Sequence, residues 1–353
     1  MRSPIRTAHF FSTCCLTGIA VAAGTSLAQL ELPLASQPTP PSLTATLAPS
    51  PTALPTPPDP DQGDRGPFAT AVLLSETSSL VPGSVAFIAV HFTIAPHWHT
   101  YWNGRSDTGF PFKAEWTLPP GFELAGPLQW PAPKRHISPG DILDHVYEES
   151  VAILVPIRVP ESARAGDTVT IAADLTWLVC KSACVFEGDG VSLTLPIAAP
   201  GSAPAASGDT GTFAATRSRI PVPIEQAGAL VSAKVIGSHL LIEAPGAERI
   251  EFYPLAKSVE TPSLLRDGAA DAPRLKVALG EVADSEGKPR RVQGVVMIKM
   301  PGQKPGQMPG KAASSTPGSQ GSEPAAPSTA VLQSLIRYIS VDLPMPGGNA
   351  PSK

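Results

Sequence analysis

Charge is scarce in this chain. Only 16% of its 353 residues are Asp, Glu, Lys or Arg, and they sum to a net charge of -4. No basic field is present to hold nucleic acid, and no Lys/Arg cluster marks a membrane-surface patch. Aromatic residues are also few, at 6%, and cysteine is limited to Cys14, Cys15, Cys180 and Cys184. The sequence lacks the Gly-x-Ser-x-Gly elbow, the phosphate-cradling Gly-rich loop and His-Glu-x-x-His. Their absence removes the serine-hydrolase, P-loop and zinc-protease readings. Glu148-Glu149 is a carboxylate pair of the kind common on solvated edges and carries no catalytic weight. Beyond the N-terminus no apolar run reaches the ~18 residues that a bilayer span needs.

Proline, by contrast, is abundant, at 42 residues, which with low charge points to linkers and β-rich domains rather than helical bundles. The N-terminus has the layout of a secretory signal. Arg2 and Arg6 precede the apolar stretch Phe10 to Ala23, and Ser26-Leu27-Ala28 resembles a small-x-small cleavage site. A signal peptide over 1–28 is expected, with an uncleaved anchor as the alternative; a lipoprotein reading through Cys14 or Cys15 is weaker, because little apolar sequence precedes them. Such cleavage leaves Cys180 and Cys184 as the mature cysteines, in an export compartment where disulfides persist. Residues 29–65 read as a Pro-rich linker, with ten prolines and no aromatic residue between 31 and 65.

Residues 66–198 alternate with the period of half-buried strands. Phe112, Ala114, Trp116 and Leu118 share one face; Val151, Ile153, Val155 and Ile157 share another. The long set Val169, Ile171, Ala173, Leu175, Trp177 and Val179 is followed by Val191, Leu193, Leu195 and Ile197. A linker is expected over 199–216 and a second β-domain over 217–345. Its candidate strands are Leu230–Ile236, His239–Ala244, Arg249–Tyr253, Arg274–Leu279, Val292–Met300 and Leu335–Leu343, with a disordered insertion over 301–328 and a tail over 346–353. The expected fold is all-β: two immunoglobulin-like β-sandwich domains joined by Pro/Gly-rich linkers.

Cys180-Lys181-Ser182-Ala183-Cys184 is the chemically distinctive segment. In a straight strand residues four apart are ~13 Å apart, whereas a disulfide needs Cα atoms within ~7 Å, so a bond here requires a turn. Closing so small a ring restricts the unfolded chain by only ~2 kcal/mol, which favours an exchangeable bond over a staple. Strand parity points the same way: with Val179 facing the core, Cys180 is expected to face away, accessible to another thiolate. Lys181 would favour a neighbouring thiolate and Glu187 oppose it. A structural staple stays open, as does a Zn or Cu(I) site built from the two thiols with His97 and His99, although Cys-x3-Cys is not typical finger spacing. The bland reading of His97-Trp98-His99 is a strand end packing its aromatic residue.

His97-Trp98-His99-Thr100-Tyr101-Trp102, Leu128-Gln129-Trp130-Pro131-Ala132-Pro133, Tyr147-Glu148 and Trp177-Leu178-Val179-Cys180 with Cys184 together resemble the periplasmic N-terminal region of DsbD/ScsB-type thiol:disulfide interchange proteins. Phe252-Tyr253-Pro254, Gly294-Val295-Val296 and Tyr338 extend the resemblance into the second β-domain. The resemblance implies a periplasmic or secreted module whose catalytic pair is Cys180 and Cys184, with no cofactor beyond that redox-active disulfide and no metal. It implies thioredoxin-like and membrane electron-transfer proteins and client disulfide proteins as partners. His136 to Tyr147 would form a cap over the pair. Tyr147, Trp177 and His145 are expected to shape or cap the site, with core packing as the alternative for Trp177. The family's membrane and thioredoxin-like domains have no counterpart in this sequence, so the reductant is expected to be a separate protein. Its Gly-Asp-Ser-Gly-like stretch matches only loosely at Arg105-Ser106-Asp107-Thr108-Gly109. A non-catalytic binding or scaffold module on the same fold is therefore the alternative.

Overall fold

Alternation of apolar and polar side chains commits most of the chain to strands. The computed structural model describes residues 66–281, 290–302 and 336–345. The expected signal, Pro-rich linker, most of the 301–328 insertion and the 346–353 tail lie outside the described residues. In order, the strands are β1 (Ala69–Ser75), β2 (Val85–Ile94), β3 (His99–Tyr101), β4 (Lys113–Thr117), β5 (Glu123–Leu124), β6 (Lys134–Ser138), β7 (Ile142–Glu148), β8 (Ser150–Arg158), β9 (Thr168–Cys180) and β10 (Cys184–Pro196). Helix α1 (Thr210–Arg217) follows, then β11 (Val222–Pro223), β12 (Ser232–Ile236), β13 (His239–Glu243), β14 (Arg249–Pro254), helix α2 (Leu264–Asp267), β15 (Ala269–Ala270), β16 (Arg274–Ala278), β17 (Arg291–Lys299) and β18 (Ile336–Pro344). The all-β expectation holds, and each quoted strand segment is a strand.

The first two sheets run β1-β2-β8-β5 and β10-β9-β3-β7-β6, with β4 also on β9. They face each other across a core that joins Ile88, Val90, Phe92, Ile153 and Ile157 to Ile171, Leu175, Trp177 and Val179. The other two run β11-β18-β17-β14-β15 and β12-β13-β16, packed through Leu240, Ile242, Val277, Ile250, Phe252, Val296 and Ile339. The two cores meet: Tyr253, Val295 and Met297 join the first, and Leu143 joins the second.

Two elements differ from the sequence expectation. The segment expected as an open linker, 199–216, carries most of α1, and Phe213 is fully buried against Leu74, Ala89, Ala152 and Leu154. Removing an aromatic ring from water favours this docking by ~2 kcal/mol. The helix also covers Ala152 and Leu154 on the outer face of β8, which is therefore buried there on both faces rather than alternating. Second, β10 begins at Cys184, earlier than its apolar alternation suggests, because the Val185–Gly190 stretch pairs with β9 along an exposed ribbon. Among the described residues no helix is long and apolar enough to cross a membrane.

Candidate functional site

Strands β9 and β10 form one long antiparallel hairpin whose last register pair is Cys180 with Cys184. The turn Lys181-Ser182-Ala183 is closed by Lys181 N–H donating to Ala183 O at 3.1 Å. It brings the two Cα atoms within 4.1 Å, and the sulfurs are joined as a disulfide. The hairpin supplies the turn that the spacing demanded.

The accessibility expectation needs correcting. Cys180 does point away from the sandwich core, as parity required, but it is only 3% exposed. Parity sets which face a side chain occupies; it does not set what covers that face. Here Tyr101, Val146 and Leu178 cover it. Cys184, across the hairpin, is exposed. The accessible sulfur therefore belongs to Cys184.

The pair lies at the edge of a cleft of about 500 Å³, lined by His99, Tyr101, Thr108, Asp144 and the Cys180–Cys184 turn, with Ser138, Pro139 and Ile142 on its far side. Those last residues sit at the tip of the β6–β7 hairpin, within the segment expected as a cap. Exposed apolar rings flank the turn: Phe186 is 70% exposed and lies 5.4 Å from Phe110, centroid to centroid.

A hydrogen-bonded chain runs into the cleft. Tyr101 Oη donates to Cys180 Sγ at 3.1 Å and lies 3.3 Å from Thr108 Oγ1. Thr108 donates to Asp144 through Oγ1, at 2.6 Å, and through its backbone N–H, at 2.8 Å. Asp144 is only 2% exposed, a buried carboxylate whose partners offset the cost of its desolvation. Burial pushes the Tyr101 phenol up from its ordinary pKa, so Tyr101 is a donor at neutral pH. Gly109, at φ +63, makes this geometry possible: a Cβ there would lie 2.1 Å from the Tyr101 ring.

Histidine chemistry near the pair is muted. His99 is paired with Cys180 in the sheet register. Burial, then the neighbouring His136, lowers its pKa to about 4, leaving a neutral ring. His97 stands apart, exposed and at φ 70, so the two imidazoles do not converge as an extended strand would require. Among the described residues no group of three or more His, Cys, Asp or Glu side chains is placed to hold a metal ion.

The other expected site residues do not line the cleft. Tyr147 faces the sandwich core and donates its hydroxyl to Pro131 O at 2.5 Å. Trp177 also faces the core, edge-on to Phe92 at 5.3 Å, the core-packing alternative. Its Nε1–H donates to Glu187, which also accepts the Phe68 and Ala69 N–H groups. That carboxylate is therefore tied to the start of β1, on the face opposite Cys184, rather than set against a thiolate. His145, on β7 of the cap hairpin itself, packs against Trp102 and Tyr253. Its Nδ1 contacts Arg105 O at 2.5 Å. Burial, partly countered by that bond, lowers its pKa to about 4. The residues that sequence reasoning passed over are Tyr101, Thr108 and Asp144. Tyr101 stood in the quoted motif without a role, and Thr108 in the loosely matched stretch; only their convergence on Cys180 reveals their place.

Residues 71–196 match the family described as thiol:disulfide interchange protein DsbD, N-terminal. No curated protein matches the chain. Among solved structures, the N-terminal periplasmic domain of ScsB from Proteus mirabilis is similar at 18% identity and a TM-score of 0.40, over 65% of this chain and 86% of that one. The Neisseria meningitidis DsbD N-terminal domain in the reduced form is similar at 12% identity and a TM-score of 0.24, over 40% of this chain and 90% of that one. Both structural likenesses are distant, and the family match together with the cysteine hairpin inside it stands without them. Residues 71–196, with the Cys180–Cys184 disulfide among them, are thus similar to the N-terminal region of DsbD thiol:disulfide interchange proteins.

Proposed function

We propose that the chain relays electrons by thiol–disulfide exchange between a thioredoxin-like or membrane-bound reductant and client disulfides, outside the cytoplasm. The observation that carries this reading is the asymmetry of the pair: an exposed Cys184 bonded to a buried Cys180 that accepts a hydrogen bond from Tyr101. The partner's thiolate attacks Cys184 Sγ, the Cys180–Cys184 bond breaks, and its electron pair leaves on Cys180 as a thiolate. A second partner thiol then attacks the partner's own sulfur in the mixed disulfide and releases Cys184. The partner dithiol becomes a disulfide, and two electrons and two protons arrive on the pair. Towards a client the steps reverse: Cys184 attacks the client disulfide and Cys180 resolves the intermediate. The apolar rim of Phe110 and Phe186 supports docking of a protein partner around Cys184. The N-terminal signal and the Pro-rich linker support a periplasmic or secreted location, and residues 66–198 and 217–345 are read as separate β-domains.

The test is trapping against a thioredoxin-like partner that keeps only its attacking cysteine and carries it as a mixed disulfide with thionitrobenzoate, which Cys184 displaces as the leaving group. Cys180→Ser, which keeps the exposed sulfur, is expected to hold a mixed disulfide that Cys184→Ser does not. No mixed disulfide from either variant, with a reduction potential of the wild-type pair below about -300 mV, would mark a structural staple instead.

A further inference from the structure

Strands β3 and β4 share one edge of β9, opposite its residues 179–180 and 172–176 respectively. The chain between them leaves that edge and meets the second set of sheets before returning. Gly104 bridges to Leu255, and Arg105 N–H donates to Pro254 O at 2.8 Å. The approach is close enough that a Cβ on Gly104 would lie 2.7 Å from Pro254 O and closer still to the Trp102 ring. The Arg105 guanidinium donates to Ser258 O at 2.9 Å and pairs with Glu260.

From that anchor the segment runs beside β7. His145 N–H donates to Ser106 Oγ at 3.0 Å, Leu143 N–H to Asp107 Oδ2 at 2.7 Å, and Asp107 N–H to Leu143 O at 3.0 Å. It ends at Thr108, held on Asp144 and in contact with the Tyr101 hydroxyl. Every residue from Gly104 to Thr108 is thus fixed either to the second set of sheets or to β7. The chain of contacts leads from Glu260 and Ser258 to the atom that donates to Cys180.

We infer that the second set of sheets is a working part of the cysteine site, and that Arg105 is the positioning residue through which it holds Thr108 and the Tyr101 hydroxyl against Cys180. This rests on the exchange reading only in giving that hydrogen bond a purpose; the coupling itself is structural. Arg105 touches neither sulfur, so its influence must pass through Tyr101. The side chain of Arg105 is 24% exposed and that of Glu260 is 61% exposed, and such surface pairs contribute little to global stability. Local order at Thr108 is where the loss is felt.

The experiment is a double-mutant cycle on the reduced full chain in a Cys184→Ser background. It follows the pH dependence of Cys180 alkylation by iodoacetamide, read on the Cys180 peptide by mass spectrometry. A hydroxyl donating to a thiolate favours the charged form. Arg105→Ala is therefore expected to raise the midpoint of the alkylation profile by about half a unit, a roughly threefold loss of thiolate at fixed pH. Arg105→Lys, which retains the cation opposite Glu260, is expected to restore part of it. In a Tyr101→Phe background, Arg105→Ala is expected to shift nothing further. An unchanged or lowered midpoint for Arg105→Ala overturns the inference, as does a shift that persists undiminished without the Tyr101 hydroxyl. Because no redox partner enters the measurement, failure of the exchange reading shows separately, as the absence of any trapped mixed disulfide.

Discussion

The hydroxyl of Tyr101 donates to Cys180 Sγ at 3.1 Å while standing 3.3 Å from Thr108 Oγ1. The phenol has one proton and gives it to Cys180; Thr108 Oγ1 at 3.3 Å and Cys184 Sγ at 3.9 Å are the longer contacts that fix the phenol oxygen in place. Thr108 has already committed its own hydroxyl hydrogen to Asp144, so towards Tyr101 it can only accept. A disulfide sulfur is a weak acceptor, whereas a thiolate is a charged one and forms the stronger bond. Reduction of the pair therefore strengthens the bond from Tyr101 to Cys180, and the site stabilises the leaving thiolate when it forms.

Tyr101→Phe removes that donor without changing the ring that covers Cys180. A hydrogen bond to a charged group is worth about 2 kcal/mol, so the apparent thiol pKa of Cys180 is expected to rise by about one and a half units. Reduction of the disulfide by a monothiol should slow several-fold. Stopped-flow reduction of wild type and variant measures it; equal rates would remove Tyr101 from the mechanism.

How much of this was legible beforehand follows from the range of each interaction. The strands were readable because alternation is local: Ile171, Ala173, Leu175, Trp177 and Val179 announce their shared face within a few residues of one another. The cysteine turn was readable because five residues contain the whole constraint. Exposure was not. Cys180 and Val179 sit on opposite faces as parity requires, yet both are buried, because the covering residues Tyr101 and Val146 come from strands 79 and 34 positions away in the chain. Likewise Asp144 looked like one polar residue among several, and only Thr108, 36 residues distant, shows why a carboxylate is buried there.

Glu187 is expected to matter for stability rather than for thiolate chemistry. Its carboxylate accepts the Phe68 and Ala69 N–H groups at 2.7 and 3.0 Å and Trp177 Nε1–H at 3.2 Å. Glu187→Ala leaves these partly buried donors without protein acceptors and should cost about 2 kcal/mol. The alkylation profile of Cys180 should not move. Urea unfolding and the alkylation profile separate the two roles.

Helix α1 is expected to behave as part of the fold rather than as a linker. Phe213 is fully buried over β8 and β2, so Phe213→Ala should destabilise by about 3–4 kcal/mol, the range for deleting a core ring. Phe213→Leu, which fills more of the space, should recover at least half of that in the same urea titration. A change below about 0.5 kcal/mol for the alanine variant would show that the helix docks without contributing.

Acid sensitivity follows from His99 and His145, both lowered by burial from 6.5 to about 4. Below the unfolded pKa the unfolded chain takes up protons that the folded rings refuse, so the unfolded state binds more protons and stability falls with falling pH. The loss begins near 6.5 and is complete only once the folded rings protonate near 4. Between about pH 7.5 and pH 5 each ring should cost about 2 kcal/mol, over a window in which ordinary carboxylates have barely begun to titrate. His145→Asn, which removes one of three histidines that burial holds low, His91 being the third, should lower neutral-pH stability through the lost Arg105 contact yet make this slope shallower. Urea midpoints at both pH values, for wild type and variant, measure the slope. A wild-type stability flat from pH 7.5 to pH 5 would mean that neither ring is held neutral.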